Sequence, residues 1–179
     1  NFPTPIIIGS VKNQNLHALA QTDMIIISPS KFLSYASQIA DFHRTKDNLK
    51  VTIADPEEIY NEFSSGSPDV SAIRNFVKMF YDRSTSEENL PKYLLLFGDG
   101  SFDNKSDREN NTNQIPTYQS ENSLSPTQSF VTDDFFGLLD DDEGGAIGMV
   151  DIGIGRLPVN TAEEAQIVTN KILNYNNSE

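Results

Sequence analysis

The chain has 179 residues, 37% of them hydrophobic, and its 26 acidic and 13 basic side chains leave a net charge of −13 and a pI near 4.4. That length closes one ordinary domain around a single core, and that charge repels nucleic acid phosphates and anionic lipid, so neither is expected as a partner. With no cysteine present, disulfides, thiolate zinc sites and a cysteine nucleophile within these residues are excluded.

The first residues, "NFPTPIII", carry no initiator methionine and no charged n-region, and residues 1–22 read as the lead-in segment of a piece cut from a larger protein. The longest apolar runs, "MIII" and "YLLLF", are far short of the roughly 20 residues that span a bilayer. From Met24 the pattern becomes regular. "MIIIS" (Met24 to Ser28) reads as a buried strand. "SPSKFLSYASQIADFHR" follows as an amphipathic helix, with Ser28 as its cap, Pro29 in its first turn, and Phe32, Tyr35, Ala36, Ile39, Ala40 and His43 on one face. "KVTIAD" (Lys50 to Asp55) is a second strand. A second helix runs from about Pro68 to Tyr81, capped from Ser67 or Asp69, with Ile73, Phe76, Val77 and Phe80 on its apolar stripe. "KYLLLFGD" (Lys92 to Asp99) and "DIGIG" (Asp151 to Gly155) complete four strands. The last helix starts at a capping box, Thr161 to Glu164, and turns Ala165, Val168, Ile172 and Tyr175 inward.

Strands alternating with helices imply βαβ units and an α/β fold, a parallel sheet with helices on both faces. In such sheets ligands sit beyond the carboxyl ends of the strands, which here are Ser28, Asp55, Gly98 and Asp99. The polar loop Gly100–Thr127 is too long to be a mere connection.

Several chemistries find no support. Neither glycine-rich phosphate motif is present, and in "GIGRLP" the third glycine is missing. A phospho-acceptor receiver needs an acidic pair after its first strand and a lysine after its last, where this chain has "ISPS" and "GRLP". The imidazoles are His17 and His43 alone, both read as structural, so no hydrolytic triad assembles. A glycosidase pair of carboxylates has no cleft to span. "FVTDDFFGLLDDDEGG" (Phe130 to Gly145) is more suggestive. Asp133, Asp134, Asp140, Asp141, Asp142 and Glu143 offer oxygens of the kind calcium takes, and Asp99 stands at a neighbouring strand end. The spacing is not that of an EF-hand, and a solvated acidic hairpin is the alternative. Phe135, Phe136, Leu138 and Leu139 within it imply that the segment folds onto the core, where unpaired charge is costly. Arg156 reads as a strand-end residue pairing with a loop carboxylate, or else a substrate or subdomain contact. Tyr118, Gln119 and Glu121 read as ordering the long loop through local hydrogen bonds.

Three stretches, "YLLLFGDGSFDNK" (Tyr93 to Lys105), "IPTYQSENSLSPTQSFVTDDFFGLLDDDEG" (Ile115 to Gly144) and "VDIGIGRLPVNTAEEAQIVTNKILNY" (Val150 to Tyr175), resemble the gingipain family of cysteine peptidases. The likeness is to its members that act as sortases of the type IX secretion system in Bacteroidetes. It implies a caspase-like α/β subdomain over residues 23–179, the amino-terminal half of a split catalytic domain. The catalytic histidine and cysteine would then lie in the second subdomain of the same chain, leaving no catalytic residue here. It implies a calcium site as well. Matched position by position, the ligands would be Asp99, the carbonyl of Val131, Asp134 and the carbonyl of Phe136. The family has a glutamate where this chain has Leu138, which leaves Asp140 to reach in, or the site weakened. The activity implied is removal of the carboxyl-terminal secretion signal from cargo and its attachment to a lipopolysaccharide anchor, at the outer membrane surface. Partners would be the second subdomain, secreted cargo proteins and other type IX components. A competing expectation is a calcium-stabilised surface module that binds partners through the Gly100–Thr127 loop without peptidase activity.

Overall fold

The computed structural model describes residues 4, 6, 7, 9–11, 13–105, 111–122, 124–145 and 147–176. Parts of the lead-in and of the long loop thus lie outside the described residues. Four strands, β1 (Met24–Ile27), β2 (Val51–Ala54), β3 (Tyr93–Phe97) and, last along the chain, β6 (Gly153–Leu157), form one parallel sheet in the order β2-β1-β3-β6. A two-residue antiparallel pair, β4 (Tyr118–Gln119) with β5 (Val131–Thr132), stands apart from it. The order reverses between β1 and β3, so the crevice expected to hold function opens there, at the ends of these two strands.

The four helices are α1 (Leu33–Lys46), α2 (Pro56–Phe63), α3 (Val70–Asp82) and α4 (Ala162–Asn176). On one face of the sheet α2 and α3 bury Ile59, Tyr60, Ile73, Phe76, Val77 and Phe80 against Ile25, Ile27, Leu94 and Leu96. On the other, α1, the turn just before it and α4 cover Ile26 and Phe97 with Phe32, Ala36, Ile39, Ala40 and Ala165. β1 is buried along its whole length, as a central parallel strand must be.

Helix starts follow their caps. Asp69 begins α3 by accepting from the Ser71 amide at 2.7 Å, as expected. α2 was not expected from the sequence, yet its signal is ordinary: the Asp55 carboxylate accepts from the Glu57 amide at 2.9 Å and Pro56 fills the first position. Ser28 does not cap α1. A single 3-10 turn, Ser30–Phe32, intervenes, and the Ser28 hydroxyl donates to the Pro29 carbonyl instead. β6 is displaced two residues from the expected "DIGIG", because the Asp151 amide turns back to the Gly137 carbonyl and the ladder with β3 opens only at Gly153, which donates to Lys92. On α4 the inner stripe is Ala165, Val168, Thr169 and Ile172, while Tyr175 is 76% exposed. The Thr169 hydroxyl is fully buried and has no hydrogen-bond partner among the described residues.

Residues 14–21 are strapped along α2 and α3. The Glu62 carboxylate, at the end of α2, accepts from Gln14 Nε2 at 2.8 Å, from the Leu16 amide at 2.7 Å and from His17 Nδ1 at 2.8 Å. His17 also stacks on Phe63 at 4.6 Å, and Leu16 enters the core. Below them Arg83 donates to Gln21 Oε1, and Gln21 donates to the Phe80 and Asn89 carbonyls. Burial alone would raise the Glu62 carboxyl, but hydrogen bonds from Gln14, Leu16 and His17 outweigh it and hold it down at about 2.

Glu62→Gln is therefore expected to cost about 2 kcal/mol in urea unfolding at neutral pH. Since the folded carboxyl lies below its ordinary value, its contribution is complete above pH 4.5 and vanishes as pH falls through about 2, so the two proteins should converge there. Thr169→Val removes a buried donor without a partner and should raise stability by about 1 kcal/mol; a loss of stability in the same assay would mean that the hydroxyl is satisfied.

Candidate functional site

The carboxyl ends of β3 and β6 meet around one side chain. Arg156, 12% exposed, donates through Nε and Nη2 to both oxygens of Asp133, each at 2.7 Å. Its Nη1 reaches the Gly98 and Ile115 carbonyls at 2.9 Å, and Nη2 the Pro116 carbonyl at 3.4 Å. The planar fork thus joins β6, the end of β3, the returning arm of the long loop and the entrance to the acidic segment. A side chain at Gly100 would not fit: a Cβ there would stand 2.6 Å from Thr117 Cγ2. Asp99 closes the same corner, with its carbonyl accepting from Gln114 and Ile115 and its carboxylate accepting from Asn160 Nδ2 at 3.0 Å. At the ends of β1 and β2, Ser30 donates to Asp55, and Lys31 Nζ donates to the Asn160 carbonyl at 3.3 Å. Gln119 ties the outgoing arm down by donating to the Phe102 carbonyl.

From Asp133 the acidic segment runs down the α3 face. Phe135, Phe136, Leu138 and Leu139 are buried in the core beneath α3, and Tyr118 stacks on Phe135 at 4.5 Å. Two cations one helical turn apart on α3 hold its backbone. Arg74 donates to the carbonyls of Leu138, Asp140 and Glu143. Lys78 donates to that of Leu139 at 2.6 Å and pairs with Asp82 and Asp141. Tyr81 donates to Asp140 Oδ1 at 3.0 Å; burial, then that carboxylate, push its phenol up to about 12.

This geometry separates the candidate metal ligands into two groups. Asp99 follows the carboxyl end of β3, and Asp134, which is exposed, is chain neighbour to Asp133, itself one guanidinium away from Gly98. Val131 lies nearby on β5. The Ser120 amide donates to Phe130 O, so by the alternation of an antiparallel ladder the Val131 carbonyl points away from β4. Phe136 is fully buried one turn further on. Asp140 belongs elsewhere. It hydrogen-bonds Tyr81 at the end of α3, and its neighbour Leu139 donates to Asp151, just before β6. That is the amino end of the sheet, and the length of a five-residue strand, about 16 Å, stands between. Asp140 therefore does not complete a shell with Asp99. Among the described residues no three His, Asp or Glu side chains gather to hold a metal, so a cation at Asp99 and Asp134 would lean on carbonyl oxygens. The oxygen type fits calcium, and the buried Asn160 Oδ1 beside Asp99 lacks a hydrogen-bond partner among the described residues.

Both histidines are spent locally, His17 on Glu62 and His43 on Asp47 at 2.6 Å. Asn160, which holds Asp99, and Arg74 and Lys78, which hold the backbone of the acidic segment, were not singled out from the sequence. Arg74 and Lys78 were visible as an i,i+4 basic pair facing an acidic stretch; Asn160, one polar residue in a turn, gave no signal.

Residues 17–179 match the family model described as peptidase family C25. The chain is similar to the crystal structure of dimeric latent PorU from Porphyromonas gingivalis, at 38% identity and a TM-score of 0.78 over 93% of this chain, and it spans 16% of that PorU chain. No curated protein sequence matches. The likeness fits the four-stranded parallel sheet with helices on both faces as one caspase- and gingipain-like subdomain. The chain belongs to peptidase family C25, the gingipain family.

Proposed function

We propose that this chain is the non-catalytic half of a gingipain-like cysteine peptidase, a sortase that cleaves the carboxyl-terminal secretion signal of type IX cargo proteins at the outer membrane surface. The observation that carries the reading is that a member of a cysteine peptidase family has no cysteine, while its imidazoles and the Arg156–Asp133 pair are engaged in holding the fold. The thiolate and its histidine would come from the second subdomain of the longer protein. This half would brace that subdomain and shape one rim of the cleft, with cargo and other type IX components as partners.

In the same reading calcium is structural. Asp99, Asp134 and the carbonyls of Val131 and Phe136 would hold it, tying the end of β3 to the entrance of the acidic segment; its chemistry is neutralisation of carboxylates rather than activation of a substrate. The second reading, a calcium-stabilised interaction module without peptidase activity, draws on Phe102 and Leu124, 83% and 94% exposed on the long loop.

Residues 1–179 alone should hydrolyse no peptide carrying a cargo carboxyl-terminal signal, and the longer protein should hydrolyse it and lose activity on thiol alkylation. Cargo capture by residues 1–179 combined with an inactive longer protein would favour the second reading. Calcium, but not magnesium, at about 100 times its dissociation constant should stabilise the chain by about 2.7 kcal/mol in thermal unfolding. Asp99→Ala and Asp134→Ala should abolish that shift and Asp140→Ala should keep it; equal loss in all three would point to a diffuse effect of acidic charge.

A further inference from the structure

The two edges of the sheet are finished differently. On β2, Lys50, Thr52 and Ala54 turn their backbone groups toward β1, which leaves Val51 and Ile53 facing outward, and the Val51 carbonyl is covered by Arg44 Nη2 at 2.6 Å. On β6 the Gly153 amide donates to Lys92, and the Leu157 carbonyl accepts from Gly98, so Gly153, Gly155 and Leu157 face β3. Ile154 and Arg156 therefore point their N–H and C=O groups away from the sheet. Those groups have no backbone partner among the described residues.

The flanks of this edge are bare too. Gly155 is exposed, and a Cβ placed on it would meet no atom within 4 Å. Met149 and Val150, leading into the strand, are 82% and 44% exposed. An outward row of donors and acceptors beside exposed apolar residues is the surface that an added strand satisfies.

We propose that the outer edge of β6 is a strand-addition site, filled by an extended segment of the second subdomain running parallel to β6; this rests on the peptidase-half reading above. Three features select that occupant over others. The unpaired groups are backbone amides and carbonyls, which only an extended backbone pairs in series. α4, 15 residues or about 22 Å long, carries the chain back past the start of β6, where a parallel strand must begin. A second copy of the chain would bring another charge of −13 against the first, whereas the related PorU chain is long enough that the matched part is only 16% of it.

Hydrogen exchange tests the site. In residues 1–179 alone the Ile154 and Arg156 amides should exchange at least about tenfold faster than those of Gly155 and Leu157, which are bonded to β3, and in the longer protein they should slow by about a hundredfold. Gly155→Glu should leave thermal unfolding of residues 1–179 unchanged, because space is open there, and should remove the protection at Ile154 and Arg156 in the longer protein. Fast exchange in both proteins overturns the proposal, as does slow exchange in residues 1–179 alone; if that protection rises with concentration, the occupant is a second copy. Protection in a longer protein that lacks thiol-dependent activity would retain the site and reject the peptidase reading, and activity without protection would reject the site alone.

Discussion

The contact between Arg156 and Asp133 is what the upper half of the molecule depends on. A guanidinium with five donors sits where four backbone routes cross, and the carboxylate takes two of them in a bidentate pair that is largely removed from solvent. Removing either member leaves the other charged and partly buried, which in such pairs costs about 3–5 kcal/mol. The remaining donors are used on carbonyls of Gly98, Ile115 and Pro116 that have come out of the sheet or the loop. Without them the long loop would be held against the strand ends mainly by Asp99 and by the buried side chain of Ile115.

The acidic segment looked like an apparatus in the sequence and is mostly architecture in the structure. Its apolar side chains enter the core, and its carbonyls, more than its carboxylates, are what α3 recognises. Arg74 and Lys78 thereby fix the backbone and at the same time offset a run of charge that would otherwise repel itself. Apart from Asp133, held by Arg156, its aspartates are left exposed, and the acids are directed to separate ends of the sheet. A short stretch of chain carrying six acids is thus resolved by geometry into two unconnected groups.

What the sequence made legible was whatever the hydrophobic pattern controls. β1, β2, β3 and the stripe of α3 are runs and periodicities that burial alone dictates, and Ile73, Phe76, Val77 and Phe80 are fully buried as the spacing required. The family likeness came from ordered phrases such as "TDDFFG" and "GIGRLPV". Where polar contacts decide, hydrophobic spacing carries little information. Tyr175 continues the apolar spacing of α4 but is exposed. α2 was missed because eight residues give too few turns for a period to show. The position of Asp140 could not be read at all, since it depends on Tyr81 and Asp151, distant in sequence.

The strand order also has a history written into it. β1 pairs first with β2, between residues 24 and 51, then with β3 at residue 93, and β3 later with β6 at residue 153. A ribosome delivering this chain from its amino end would release the strands in the order in which the sheet can use them, beginning at the central strand. After β2, β3 closes the free edge of β1 and β6 closes that of β3, so on this side of the sheet each added strand satisfies one boundary and carries the next forward through synthesis.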